Sequence, residues 1–204
     1  MSNYLTENLR TVALVGHGSC GKTSLIEAML YRTGRLRKLG RVDHGSAAMD
    51  SHLLERERGI TIFSSQAELP IGNLEVTLLD TPGHVDFSAE MERTLSVLDY
   101  AILVISGVDG VQAHTRTLWR LLELYRIPTF LFVTKMDFGR CGRGQMMEHL
   151  RHELGEGCVD FTPADRERRM EQLATCREDA LEVYLDGGEV PDVLVRQLVG
   201  RRLV

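Results

Sequence analysis

The chain has 204 residues, 43% of them apolar and 26% charged, with a formal net charge of −5. That length and composition fit one ordinary globular domain with a substantial core. The negative balance excludes a nucleic-acid grip spread over the whole surface, though not a local basic contact.

The opening stretch, "MSNYLTENLR", is polar and lacks the apolar run of a secretory signal. "TVALVG" is a short apolar run ending at glycine, and "GKTSLIEAMLYRTG" has helical spacing with Gly34 as its stop. Residues 35 to 60 show no clean periodicity and form a long connection, of the kind that is functional or mobile inside compact domains. "ITIFSSQAEL" and "LEVTLLD" read as neighbouring strands joined by the turn "PIGN". "TPGHVDF" breaks the chain before a helix with Met91, Leu95 and Leu98 on one side. "YAILVIS" and "TFLFV" are buried strands, and the amphipathic "VQAHTRTLWRLLELYR" between them carries Leu118, Leu121, Leu122 and Tyr125.

Apolar strands separated by helices imply an α/β fold with a mostly parallel sheet covered on both faces. Ligands bind such sheets at the carboxyl ends of the strands, where the stretches after residues 15, 79 and 133 fall. From about residue 143 the strands stop. "GQMMEHLRHELGE", "DFTPADRERRMEQL", "CREDALEVYLDGG" and "VPDVLVRQLVGRRLV" read as helices, with Pro163 and Pro191 near helix starts. The expected division is a core at 1–142 and a helical extension of the same domain at 143–204. Cys20, Cys141, Cys158 and Cys176 lack paired or metal-like spacing and are expected as free thiols in a reducing cytoplasm. No apolar run approaches the ~18 residues of a membrane span.

"GHGSCGKT" fits G-x-x-x-x-G-K-[ST] between a strand and a helix, the context that gives this pattern its weight. The backbone N–H groups of Gly16, His17, Gly18, Ser19, Cys20 and Gly21 can cradle phosphate oxygens at the helix N-terminus. Lys22 adds positive charge at the β and γ phosphates, and the Thr23 hydroxyl suits Mg²⁺. This P-loop predicts a nucleoside triphosphate with Mg²⁺ and is silent on the base.

In "LLDTPGH", Asp80 ends a strand where it can reach Mg²⁺ through water, and Thr81 and Pro82 lead to Gly83, whose N–H can turn toward a γ-phosphate. His84 is an ionisable group able to contact an attacking water. D-x-x-G alone is weak; ~60 residues beyond a phosphate loop and at a strand end, it is a good second match. Thr61, after the long connection, can give its hydroxyl to Mg²⁺ and its N–H to the γ-phosphate. Taken alone, Thr61 reads more simply as a β-branched residue opening a strand.

"TKMD", Thr134 to Asp137 with Lys135 and Met136 between, follows a buried strand. Asp137 can accept both N1–H and the 2-amino group of guanine, whereas adenine presents an acceptor to that carboxylate. The Lys135 stem can lie over the ring. An Asn at 134 would supply a donor and an acceptor; Thr134 has one hydroxyl and makes fewer bonds.

Together "GHGSCGKT", "LGRVDHGSAAMDSHLLERERGITI", "DTPGHVDFSAEM" and "TKMD" resemble the GTP-binding domain of translational GTPases. The spacing in "LLERERGITI" and "DFSAEMERTLSVLDYAILVISGVDGVQAHTRTLW" most resembles the tetracycline-resistance ribosomal protection proteins, with elongation factor G second. The resemblance implies binding of GTP, GDP and Mg²⁺, with Thr61 and Asp80 near the metal, and a GTPase fired by the ribosome. It implies that His84 orients the hydrolytic water, that Lys22, Gly83 and Thr61 assist, and that ribosomal RNA helps hold the histidine, so unassisted turnover is slow. Ribosomal RNA and proteins are then the expected partners, with no DNA and no membrane, and the isolated chain is expected to be monomeric.

Three departures stand out. Ser19 and Cys20 replace the family's common Asp and Ala or His, and Thr134 replaces Asn. The family's last guanine-contacting motif, with its strand and helix, is missing; the only "GSA", Gly45 to Ala47, lies in the long connection. The expectation is the front of a multidomain protein whose isolated 204 residues bind nucleotide weakly. Competing readings are an elongation factor G-like translocation factor, a P-loop ATPase or kinase, and a GTP-dependent switch that has lost turnover.

Overall fold

The computed structural model describes residues 8–37, 65–81, 95, 97–139, 141–161, 166–187, 189–191 and 194–195. In chain order the elements are β1 Leu9–Val15, α1 Lys22–Arg32, β2 Ser65–Ile71, β3 Leu74–Asp80, β4 Tyr100–Ser106, α2 Ala113–Leu124 and β5 Thr129–Thr134, then α3 Arg143–Leu154, α4 Arg166–Thr175 and α5 Glu178–Gly187. Outside the described residues lie Thr61, Pro82, Gly83, His84, Met91, most of the long connection and most of the last helical piece.

The five strands form one sheet in the order β2-β3-β1-β4-β5. β1 runs parallel to β3, from Leu9 opposite Glu75 to Leu14 opposite Asp80, and parallel to β4, with Val15 opposite Leu103. β5 runs parallel to β4, bringing Ser106 opposite Thr134. The carboxyl ends of β1, β3, β4 and β5 therefore share one edge, the edge where α/β sheets take ligands.

β2 is antiparallel to β3 and continues through Pro70 to Ile71. The expected four-residue turn "PIGN" is thus a two-residue loop, Gly72-Asn73, with Gly72 at φ 58°. Pro70 is tolerated in the strand because β2 is an edge strand in this sheet and needs no outward N–H bond. Glycine at the first loop position supplies the positive φ that tight hairpins require.

Alternation along the strands sends side chains to two apolar layers. Ala13, Val15, Ala101, Leu103 and Ile105 face Leu118, Trp119 and Leu122 of α2 and Met146, Leu150 and Leu154 of α3. Leu95 is buried in that layer and Leu98 packs against it, as the helical spacing predicted for them. Leu14, Val76, Leu78 and Val104 face Ile26 and Leu30 of α1. Each fully buried leucine contributes roughly 1.5–3 kcal/mol of transfer free energy.

The helical extension divides in its packing. α3 belongs to the sheet's core, and Arg116 of α2 bonds Glu153 of α3 at 2.5 Å. Val159, Met170, Leu173, Ala174, Ala180 and Val190 form a separate cluster around α4 and α5. Cys158 packs into the first core and Val159 into the second.

Candidate functional site

The loop between β1 and α1 lies hard against the sheet. Gly16 has φ 152°, and a Cβ there would stand 2.4 Å from the Val104 carbonyl oxygen. Only glycine fits that approach. Ser19 sits at φ 59° and Gly21 at φ 101°, so the chain curls through left-handed conformations before the helix. No side chain caps α1. Its first N–H groups, which have no partner inside a helix, face the strand-end edge as a ready anion site.

Lys22 is buried, and its ammonium donates to the carbonyls of Gly16 at 3.0 Å and His17 at 3.1 Å. The loop thus holds the cation at its own mouth. The His17 ring donates from Nδ1 to the Gly18 carbonyl at 2.6 Å, and its enclosed Nε2 has no partner among the described residues. Burial pushes the Cys20 thiol up, against the opposing pull of the Lys22 charge, so it stays protonated and unreactive.

Thr23 and Asp80, 57 residues apart, meet here: the Thr23 hydroxyl donates to Asp80 Oδ2 at 2.8 Å, and Asp80 is fully buried. One hydroxyl and one carboxylate are hard oxygen donors, and Mg²⁺ prefers a few such protein ligands plus phosphate oxygens and water. Among the described residues no cluster of three or more His, Cys, Asp or Glu side chains suits a metal ion. Thr81 turns inward, its hydroxyl donating to the Leu14 carbonyl at 2.7 Å. It ties the end of β3 to β1.

The tetrapeptide that begins on the last residue of β5 reaches the same loop. Thr134 donates to the Cys20 carbonyl at 2.6 Å, and Lys135, at φ 55°, donates from Nζ to the Ser19 carbonyl at 2.7 Å. Met136 packs against the core, and Asp137 is exposed at the rim. The structure therefore brings together residues 16–23, Asp80, Thr81 and 134–137 of the sequence-predicted set.

Sequence reading missed Gly107. Its N–H donates to the Thr134 carbonyl at 2.7 Å, and a Cβ there would meet Met136 Sδ at 2.7 Å and the Thr134 carbonyl oxygen at 2.9 Å. The signal was available as a glycine directly after the apolar run "YAILVIS". His149 was missed too: its Nε2 accepts from the Val111 N–H at 3.2 Å and pins the β4–α2 connection to α3. No local pattern announces that contact. A cavity of about 470 Å³ lined by Arg151, Cys158 and Cys176 among others shares no residue with the strand-end site.

The family model for the elongation factor Tu GTP-binding domain matches residues 7–191. The chain belongs to that family. It is 45% identical over 152 residues to the oxytetracycline resistance protein of Streptomyces rimosus, covering 74% of this chain and 23% of that protein. It is 42% identical over 245 residues to elongation factor G 1 of Treponema denticola, covering 98% of this chain and 36% of that protein. A crystal structure from Thermus thermophilus superposes with a TM-score of 0.79 at 29% identity, over 96% of this chain and 37% of that one. The chain thus spans less than two fifths of each of these longer proteins. The resemblance to translational GTPases read from the motifs, and the α/β fold it implied, both hold.

Proposed function

We propose that this chain binds GTP with Mg²⁺ and hydrolyses it to GDP and phosphate, as part of a ribosome-associated translation factor of the tetracycline-protection type. The observation that carries the reading is the meeting, on one sheet edge, of the phosphate loop, Asp80 and the base-reading tetrapeptide, joined by short hydrogen bonds. The tetracycline-resistance and elongation factor G relatives support the setting. Elongation factor G-like translocation is the second reading, favoured by a match that runs almost the whole chain.

Phosphoryl transfer from GTP to water needs positioning and charge stabilisation rather than a covalent intermediate. The loop N–H groups and Lys22 hold the β and γ phosphates and offset their charge. Thr23, Asp80 and, in this reading, Thr61 would hold Mg²⁺, which would supply neutralisation of phosphate charge. Gly83 contacts the γ-phosphate, and His84 orients the attacking water. Asp137 selects guanine, and the Lys135 stem covers the ring. Ser19 and Thr134 stand in place of the family's usual groups without removing any of these roles, so turnover is retained.

The division into a GTP-binding core at 1–142 and a helical extension at 143–204 belongs to the same reading, with the note that α3 packs into the core. Ribosomal RNA and ribosomal proteins are the partners. The setting is cytoplasmic, without DNA or membrane attachment, and the chain is monomeric on its own. Among the described residues no helix is long and apolar enough to cross a membrane.

The test is phosphate release from GTP by the protein that carries this chain, with and without ribosomes. Ribosomes should raise the rate, and His84→Ala should remove most of that increase while leaving nucleotide binding in place. No stimulation favours a switch without turnover, and full stimulation in the variant removes His84 from its role.

A further inference from the structure

The side chain of Thr134 is committed to the protein. Its hydroxyl carries one hydrogen. That hydrogen goes to the Cys20 carbonyl at 2.6 Å, with the Ile105 carbonyl a distant second at 3.3 Å. Its methyl lies beside Gly21, where an added Cβ would stand 3.6 Å away in ordinary contact. The Thr134 carbonyl accepts from Gly107. Elsewhere in the tetrapeptide the Lys135 ammonium is anchored on the Ser19 carbonyl, while the Met136 thioether and the Asp137 carboxylate offer acceptors rather than donors.

Guanine offers two kinds of edge to such a site. N1–H and the 2-amino group are donors and suit Asp137. N7 is an acceptor and needs a donor, which an amide side chain at 134 could supply beside a bond to the loop. Threonine cannot do both. Resting on the GTP-binding reading above, we infer that Thr134 is a positioning residue for the phosphate loop, that N7 goes unread, and that base selection rests on the donor edge facing Asp137.

The probe is 7-deaza-GTP, which replaces N7 by C–H and keeps the edge that Asp137 reads. Competition against a fluorescent GDP analogue, with Mg²⁺ present, gives affinities for GTP, 7-deaza-GTP and ATP on this chain, Thr134→Asn, Thr134→Val and Thr134→Ser. In the unsubstituted chain, GTP and 7-deaza-GTP should agree within about twofold. In Thr134→Asn a gap of about fivefold or more should open in favour of GTP, the size expected for one added hydrogen bond. Thr134→Val should weaken both nucleotides by the same factor, and Thr134→Ser should restore both. A gap above about twofold in the unsubstituted chain overturns the inference and leaves the GTP reading standing. A flat ratio in Thr134→Asn, or no weakening in Thr134→Val, also overturns it. ATP competing as well as GTP, or no competition by any nucleotide at millimolar concentration, overturns the GTP reading and the inference with it.

Discussion

The strand-end region and the α4–α5 region are built to different tolerances. At the strand ends, backbone approaches backbone so closely that Gly16 and Gly107 leave no room for a carbon. In the extension, Gly155, Gly157 and Gly187 have nothing within 4 Å of an added Cβ. Threonine hydroxyls, two of the three buried, lock the first region onto carbonyl and carboxylate oxygens. The second is held by a small apolar cluster and by solvent-facing ion pairs such as Arg166–Glu189 and Arg177–Asp179. Phosphate placement demands fixed atoms, whereas the extension needs only a buried face. The difference shows where chemistry has constrained the chain.

The sharpest way to break that contrast is Gly16→Ala. The new carbon meets a backbone carbonyl, at a φ that side chains avoid, and neither partner can rotate away. Stability should fall by about 2–4 kcal/mol in urea unfolding, with nucleotide binding lost. Gly157→Ala, in open space, should stay within about 0.5 kcal/mol.

Next come paired truncations of fully buried leucines. Leu103→Ala opens the sheet core and Leu173→Ala the helical cluster, each at a cost of about 2–5 kcal/mol to its own region. Amide hydrogen exchange should show lost protection across the sheet in the first variant. In the second, the loss should be confined to residues 166–187. Cys158 sits at the boundary, and burial pushes its thiol up to about 11. Its alkylation at neutral pH should be slow in the parent chain and in Leu173→Ala, and faster in Leu103→Ala, because Cys158 packs in the sheet core. Identical exchange patterns would mean that the two clusters unfold as one.

The smallest effect concerns Arg116 and Glu153, which tie α2 to α3. Hydrogen bonding to Arg116, then desolvation acting the other way and the Arg116 charge, leave the Glu153 carboxyl below its usual value of 4.5. A depressed folded value means the pair stabilises above the ordinary carboxylate range and loses that contribution as pH falls through the folded value. Glu153→Gln should therefore be slightly less stable at pH 7 and converge with the parent only as pH falls through the depressed folded value. Arg116 is substantially exposed, so solvent keeps the difference small.

Much of this was legible in the residues. The apolar run "TVALVG" ending at glycine and the G-x-x-x-x-G-K-[ST] pattern located β1 and the phosphate loop, and apolar runs located β4 and β5. The turn after β2 was misplaced because proline reads as punctuation, yet an edge strand spares it the missing bond. Partners were the illegible part. Nothing near Thr134 says that its hydroxyl meets Cys20, 114 positions away. The residues marked "GQMMEHLRHELGE" as a helix, but not that it packs against the sheet while the following helices pack among themselves. Such contacts are set by topology, which sequence pattern constrains only loosely.

The central claim is that this strand-end edge holds guanine nucleotide, and competition between GTP and ATP for the Mg²⁺-dependent site tests it most directly. The account predicts that GTP displaces a fluorescent GDP analogue while ATP at tenfold or higher concentration, about 1.4 kcal/mol in chemical potential, does not. Equal displacement by ATP would contradict it.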